Sequence, residues 1–158
     1  MSYIIPWSEK YRPKSIDDLV IEASTMEKLQ NIIRDKDMPN IIISGVPGIG
    51  KTSTIVCLAK NLLGKYYRQA TLELNASDER GIKYVQESII NFCKKKLDIK
   101  STAKHTYANH KLILLDEADN MTKKAQQLIN VLMEEYHYNT RFAFTCNNSS
   151  GIIEAIQS

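Results

Sequence analysis

Gly45-Val46-Pro47-Gly48-Ile49-Gly50-Lys51-Thr52 decides how the rest of this chain is read. The stretch fills every fixed position of the pattern G-x-x-x-x-G-K-[ST]. Its flanks suit that pattern. Ile41-Ile42-Ile43 runs apolar into the first glycine, and Lys51 to Leu63 reads as a helix behind it. A strand that turns through glycines into a helix start is a phosphate cradle. The glycines let backbone N–H groups approach an anion, and the helix N-terminus adds positive potential. The pattern sends Lys51 to the β- and γ-phosphates and sets the Thr52 hydroxyl on a magnesium ion. The cradle comprises Gly45, Val46, Pro47, Gly48, Ile49, Gly50, Lys51, Thr52 and Ser53.

Outward from the cradle, apolar runs alternate with helical patterns. The first twenty residues hold Pro6 and Pro13 and read as irregular. Ser24 and Glu27 have the spacing of a capping box. The helix they open carries Met26, Leu29, Ile32 and Ile33 on one face and stops before Pro39. Residues 41–44 form the first strand. The helix after the cradle buries Ile55, Leu58, Ala59 and Leu62, and Gly64 ends it. Residues 70–74 form a second strand. Ile82, Val85, Ile89 and Phe92 then define a helix from about Ile82 to Lys95. Residues 96–110 are polar and lack periodicity, so they read as a loop. Residues 112–115 are a third strand, and Ala125, Leu128, Ile129, Leu132 and Met133 mark another amphipathic helix. Residues 141–145 are a fourth strand. Apolar strands alternating with helices predict a parallel sheet covered on both faces, with ligands at the carboxyl ends of its strands.

The third strand runs straight into Asp116-Glu117-Ala118-Asp119. An apolar strand ending in two acids is the usual companion of such a loop, the Walker B pattern. Magnesium takes hard oxygen ligands and keeps several waters, so one carboxylate near Thr52 suffices, and Asp116 is the candidate. Glu117 follows it and is the candidate to orient, or take a proton from, a water attacking a γ-phosphate. The competing reading has these acids cap the next helix, a role that Asp119 or Thr122 already suits. Asn147 ends the fourth strand beside the cradle and can hydrogen-bond a phosphate or that water. Asn147-Asn148 also suits a turn.

Bulk properties narrow the class. The chain has 158 residues, enough for one domain with a core, and is 25% charged and 43% apolar. A net charge of +3 does not by itself argue for nucleic acid. No apolar run approaches membrane-spanning length, so no membrane partner is expected. The N-terminus lacks a secretory pattern. Cys57, Cys93 and Cys146 are widely spaced and read as buried thiols in a reducing compartment. His105, His110 and His137 form no metal-ligand pattern and read as structural or surface residues.

With these residues in hand, the chain resembles the small ATPase subunits of replication factor C, the eukaryotic sliding-clamp loader within the AAA+ class. The resemblance runs along nearly the whole chain. It rests on Pro6-Trp7-Ser8-Glu9-Lys10-Tyr11-Arg12-Pro13, on residues 72–81 (LELNASDERG) and on Asp116-Glu117-Ala118-Asp119. It rests further on Met121-Thr122, Ala125-Gln126-Gln127, residues 140–147 (TRFAFTCN) and residues 152–158 (IIEAIQS). It implies a P-loop NTPase of AAA+ type, a three-layer sandwich with a parallel sheet over residues 1–158. It also implies that the sequence stops before the last core strand, the helical lid and the collar. Ser158 falls one residue before the family's Ser-Arg-Cys motif, whose arginine completes a neighbour's site, so the fragment alone is expected to be weak or inactive.

The resemblance makes residues 1–20 an adenine-contacting segment, with Tyr11, Arg12 and Pro13 at the base. It makes Asn147 the sensor-1 residue. Arg80 becomes a channel-facing cation that also holds Glu117 inactive until DNA binds. A local salt bridge to Asp78 and Glu79 explains Arg80 equally well. Lys94, Lys95, Lys96, Lys100 and Lys104 read either as phosphate contacts or as a solvated helix end. Family members carry paired arginines where this chain has Asn130 and Val131, and an arginine at Gln86, with Lys83 partly restoring the charge. Both departures weaken the inference to DNA relative to that to ATP.

ATP and Mg²⁺ are the implied ligands. The implied partners are the other replication factor C subunits of a hetero-pentamer, the sliding clamp and primer–template DNA, in the nucleus. Two other functions stand beside this one. One is a different AAA+ motor, a branch-migration helicase or a protein remodeller. A remodeller needs an apolar pore loop, and residues 96–110 offer Tyr107 in polar, basic surroundings. The other is an assembly subunit that binds ATP without hydrolysing it, against which the intact Glu117 argues.

Overall fold

The structure is a computed structural model and describes residues 2–6, 23–45 and 50–157, with side chains from residue 27 to residue 156 within those ranges. Five parallel strands lie in the order β1-β2-β5-β4-β3. They are β1 (Ser2–Pro6), β2 (Asn40–Ser44), β3 (Thr71–Asn75), β4 (Lys111–Asp116) and β5 (Thr140–Cys146). The helices are α1 (Ala23–Asp35), α2 (Lys51–Leu63), a short α3 (Tyr67–Ala70), α4 (Gly81–Lys94), α5 (Lys123–Glu135) and a short α6 (Glu154–Gln157). All strands start at one edge of the sheet and end at the other. In register, Ile42 faces Phe144, Leu114 faces Ala143 and Leu74 faces Leu115.

Side chains alternate between the two faces of each strand, so an all-apolar strand feeds two cores at once. Ile41, Ile43, Leu112 and Leu114 pack with Leu29 of α1 and Ile55, Leu58 and Leu62 of α2. Ile42, Ile113, Leu115, Phe142 and Phe144 pack on the other face with Val85 and Ile89 of α4 and Ile129 and Leu132 of α5. Each fully buried leucine or isoleucine contributes roughly 1.5–3 kcal/mol relative to exposure. These cores hold the strand ends, and hence the loops that leave them, in fixed positions.

The four predicted strands and the helices between them are present, with corrections. Residues 2–6 are not irregular: they pair in parallel with β2, Ser2 against Asn40 through Pro6 against Ser44. Five residues ending in proline carry too little periodicity to show a strand, and proline is tolerated there because β1 lies at an edge. α1 begins at Ala23, so Ser24 lies inside the helix and not ahead of it. β3 starts at Thr71, because Ala70 ends α3. α4 starts and ends one residue earlier than its pattern suggests. Leu128, assigned to the buried face of α5, is exposed. Of the two residues suited to cap α5, Thr122 does so, its hydroxyl accepting the Ala125 N–H at 3.1 Å. The three cysteines are buried and form no disulfide. Among the described residues no helix is long and apolar enough to cross a membrane.

Residues 96–110 lack regular structure, as predicted, but parts of the segment are buried. Leu97 and Ile99 pack on the core beneath α2, and Ala108 is buried there. The Ala108 N–H donates to the Leu62 carbonyl at 2.8 Å. His110 is buried between strands: its Nε2 accepts the Met38 N–H at 3.1 Å, and Nδ1 lies 3.1 Å from the Lys111 carbonyl. That pairing places the proton on Nδ1, and burial pushes the imidazole below its ordinary pKa. Lys111, buried at the start of β4, donates its ammonium to the Phe92, Cys93 and Lys95 carbonyls and so closes the C-terminus of α4. Lys36 does the same for α2 at the Asn61 carbonyl, 2.8 Å away.

Gly64 is required where α2 stops. Its φ of +50° is a left-handed value, and an added Cβ would lie 2.6 Å from the Tyr107 ring. That ring is pinned edge-on against Tyr66, with centroids 5.2 Å apart. Gly81 has φ +89° and open space around it. Gly81→Ala should therefore cost about 1–2 kcal/mol, the left-handed penalty alone. Gly64→Ala should cost roughly 2–4 kcal/mol, because overpacking adds to that penalty. Urea unfolding of both variants checks this, and equal losses would remove the clash from the account.

Candidate functional site

Three loops leave the carboxyl edge of the sheet from the adjacent strands β2, β5 and β4, and their side chains converge. Gly50, in the left-handed conformation at φ +86°, turns the chain into α2, and its carbonyl accepts the Thr54 N–H at 3.0 Å. Lys51, the first residue of α2, is buried. Its ammonium donates to the Gly45 carbonyl at 2.6 Å, the Cys146 carbonyl at 2.9 Å and the Asn147 side-chain oxygen at 2.8 Å. The Gly45 N–H also donates to the Cys146 carbonyl, at 3.2 Å. The predicted cradle lysine and the predicted sensor asparagine are thus in direct contact.

Burial pushes the Lys51 ammonium below its ordinary pKa, while Cys146, Asp119, Asp116 and Glu117 pull it back up. Cys146, with its thiol raised to about 11 chiefly by burial, stays protonated and offers no nucleophile.

The acidic pair lies beside this contact. The Thr52 hydroxyl donates to Asp116 at 3.2 Å. The Thr145 hydroxyl donates to the same Asp116 oxygen and accepts the Glu117 N–H at 3.1 Å. One hydroxyl therefore links the two acids. Two oxygens on adjacent sites of an octahedral magnesium ion sit ~2.9 Å apart, given bonds of about 2.0–2.1 Å. The Thr52–Asp116 pair fits that spacing with hard oxygen donors. Among the described residues no group of three or more His, Cys, Asp or Glu side chains is placed to hold a metal. A site for a largely hydrated ion needs no such group.

Glu117 has φ +56° and ψ +45°, a left-handed backbone in a residue that is not glycine. Strain of this kind is held by its surroundings, here the bond from its N–H to Thr145. The Glu117 side chain is exposed, and its carboxylate has no hydrogen bond or ion pair among the described residues.

Arg80 forms the local ion pair with Asp78. Its guanidinium donates to Asp78 at 2.9 and 2.8 Å and stacks on the Tyr84 ring 3.7 Å from the centroid. It forms no ion pair with Glu117 among the described residues. Tyr11, Arg12, Pro13, Val46, Pro47, Gly48 and Ile49 lie outside the described residues.

Two residues in the site went unassigned or misassigned from sequence. Thr145 is one; its only signal is a hydroxyl placed last but one in an apolar strand. Asp119 is the other, considered only as a helix cap. Its carboxylate accepts the Asn147 and Asn148 N–H groups at 3.1 and 3.2 Å and fixes the turn that presents Asn147.

Comparison with known proteins agrees with this geometry. Residues 41–158 match the family described as ATPase family associated with various cellular activities (AAA). All 158 residues align at 49% identity with replication factor C subunit 4 of Saccharomyces cerevisiae, covering 47% of that protein. The chain thus spans about half the length of the curated relatives it matches. Among solved structures, a Thermotoga maritima RuvB variant superposes with a TM-score of 0.62 at 13% identity, over 92% of this chain and 45% of that one. A DNA polymerase III gamma subunit-related protein from the same organism superposes with a TM-score of 0.60 at 16% identity, over 83% of this chain and 42% of that one. These two likenesses concern the fold.

Two outcomes follow from the site. The Arg80 hydrogen bonds lower the Asp78 carboxyl from 3.8 to about 2. A depressed acid supports the fold above its ordinary value, and the support is lost as pH falls from 3.8 through about 2. Carboxyl NMR should find Asp78 titrating near 2, and Arg80→Gln should return it toward 3.8; a normal Asp78 in the intact chain would refute the pairing. Glu117→Gly should raise unfolding stability by about 1 kcal/mol through relief of the left-handed backbone, measured in urea. A loss of stability there would mean that Glu117 is unstrained.

Proposed function

Because this chain belongs to the AAA family of ATPases, we propose that it binds ATP with magnesium and hydrolyses the γ-phosphate as one subunit of a sliding-clamp loader. The observation that carries the first part is the convergence of Lys51, Asn147, Thr52 and Asp116 at one sheet edge. The second part is supported by the 49% identity along the full chain to a replication factor C subunit. In this reading the cradle of residues 45–53 takes the triphosphate. Lys51 exchanges its carbonyl partners for phosphate oxygens, where its fixed charge stabilises the transferring group. Thr52 and Asp116 hold magnesium, which neutralises phosphate charge when bound.

Glu117 and Asn147 serve the water. Its oxygen bonds to the γ-phosphorus as the bond to the bridging oxygen breaks, and ADP and phosphate leave. Glu117 orients that water or takes its proton. Asn147 reports the γ-phosphate to the sheet through its contact with Lys51. Tyr11, Arg12 and Pro13 contact the adenine. The partners are the other subunits of the loader, the clamp and primer–template DNA, and the setting is nuclear DNA replication.

The test uses the full-length, assembled protein. Glu117→Gln should leave ATP affinity within about twofold and lower turnover by about 10²–10⁴-fold. Wild-type turnover should rise with clamp and primed DNA together. Normal turnover in Glu117→Gln would remove Glu117 from the mechanism. Absence of magnesium-dependent ATP binding in calorimetry would remove the whole reading.

A further inference from the structure

A cavity of about 440 Å³ lies where β2 and β5 begin, at the opposite end of those strands from Lys51. Three pieces of chain enclose it: the last three turns of α1, the turn from α1 into β2, and the turn from α5 into β5. Its size is within the range of small-molecule sites, roughly 300–1,000 Å³. Ile32 and Met38, both buried, give it an apolar floor with Pro39 beside them. Lys28, Asn31 and Asp35 come from one face of α1, and the remaining lining is Asp37, His137 and Arg141.

Arg141 is left under-bonded by its neighbours. Its side chain is only 16% exposed. Nη1 donates to the His137 carbonyl and, at 3.4 Å, to the Thr140 carbonyl. Nε and Nη2 make no hydrogen bond among the described residues. Nη2 has Asp37 at 3.8 Å, an ion pair beyond hydrogen-bond reach, and the Asp37 side chain is 70% exposed. A guanidinium presents five donors in a fixed fork, and burying them without acceptors is costly. Burial pushes this one below its ordinary pKa, against the pull of Asp37. A plain account makes Arg141 a clamp on the turn between α5 and β5. That account uses Nη1 and gives the Nε–Nη2 edge of the fork no role. Both nitrogens lie open to solvent: Thr71 Oγ1 is the one fully buried, unpartnered side-chain polar atom among the described residues.

Charge and shape decide which anion suits that edge. Asp35 is bonded to Arg34 at 3.1 Å. Lys28 and Arg141 then face Asp37 alone among the lining residues, which leaves one positive charge in excess. His137 is pushed below its ordinary pKa, by partial burial first and then by Arg141, and adds no charge at neutral pH. One excess charge matches a monoanion. A phosphate dianion would bring a second charge that the lining does not offset, close to Asp37. A carboxylate has two coplanar oxygens that match two parallel N–H groups of the fork. The apolar floor suits a compact hydrocarbon body behind those oxygens.

We propose that this cavity binds a small organic carboxylate, its oxygens on Nε and Nη2 of Arg141 and its apolar body against Ile32, Met38 and Pro39. Asp37 competes for the same guanidinium and, being exposed, gives way to the ligand. Lys28 adds attraction from α1. The site lies about 20 Å along β5 from Asn147. It needs no nucleotide and goes beyond the clamp-loader reading.

The probe is para-fluorobenzoate, titrated into this chain and read by fluorine NMR, with para-fluorobenzamide as its uncharged match. The acid should saturate with a Kd of about 1 mM, and the amide should bind at least tenfold more weakly. Heteronuclear NMR should place the shift changes at Arg141 Nε and along residues 28–39. Arg141→Gln should abolish binding, and Arg141→Lys, which keeps the charge and loses the fork, should weaken it about tenfold. Arg141 also closes a turn, so Asp37→Asn, at an exposed position, provides a test that does not risk the fold. Removing the competing carboxylate should tighten binding about three- to tenfold, and unchanged or weaker binding in that variant overturns the inference. It is overturned as well if the acid shows no saturation at about 10 mM, if the amide binds as tightly, or if inorganic phosphate displaces the acid at equal concentration. Shift changes centred on Lys51 would also overturn it, by assigning the probe to the cradle. Magnesium-dependent ATP binding should be unchanged in Asp37→Asn, so failure here and failure of the nucleotide site are told apart.

Discussion

The buried ammonium of Lys51 is the constraint on which the site depends. A cation that is only 8% exposed must be surrounded by acceptors, and three loop oxygens supply them: Gly45, Cys146 and Asn147. Those oxygens come from the ends of β2 and β5, adjacent strands whose register is fixed by Ile41 against Ala143 and Ile43 against Thr145. Satisfying the lysine therefore aligns two strand ends. Substrate phosphate in this place would replace neutral carbonyls with charged oxygens, a stronger partner for the same cation. The lysine is set to exchange partners because none of its present ones is an ion.

A second hydroxyl-based junction completes the edge. Thr145 lies one residue before Cys146 on β5: its hydroxyl meets the acids, while the Cys146 carbonyl accepts from the lysine. By donating to Asp116 and accepting from the Glu117 N–H it fixes the direction of one acid and the backbone of the other. Glu117, on its left-handed backbone, is exposed, whereas the Asp116 carboxylate is held by the Thr52 and Thr145 hydroxyls.

The carboxyl edge was legible in the sequence because loops there are constrained by chemistry. Glycines at fixed spacing, a lysine, and acids directly after an apolar run each have few structural alternatives. Leu112 to Leu115 gave β4 for a similar reason: four apolar residues ending in two acids leave one plausible face for the acids. What the sequence left hidden depended on partners far away in the chain. Ser2–Pro6 is a strand only because β2 offers an unpaired edge. Thr145 is one hydroxyl among several until Asp116 is placed beside it. Arg80 had two readings of equal weight, and the ring of Tyr84, four residues on, helps hold it to Asp78. Residues 96–110 read as a loop because their apolar members, Leu97, Ile99 and Ala108, have no period; these pack with the core cluster that includes the end of α2.

The distribution of charge follows from the same architecture. In a parallel sheet every helix that returns the chain ends near the starting edge, so helix C-termini and their unpaired carbonyls gather there. Cations are favoured at such an edge on electrostatic grounds, and acids at the other edge would repel a triphosphate unless a metal and a lysine stood between them. Here the carboxyl edge keeps Asp116, Glu117 and Asp119 around one buried lysine, and the starting edge keeps two buried or bonded lysines, Lys111 and Lys36, for the carbonyls. The fold thus accounts for the first few cations at that edge. Once the carbonyls are met, each additional lysine adds mutual repulsion, which Asp98 alone does little to relieve. Water and salt screen such an excess at an exposed edge.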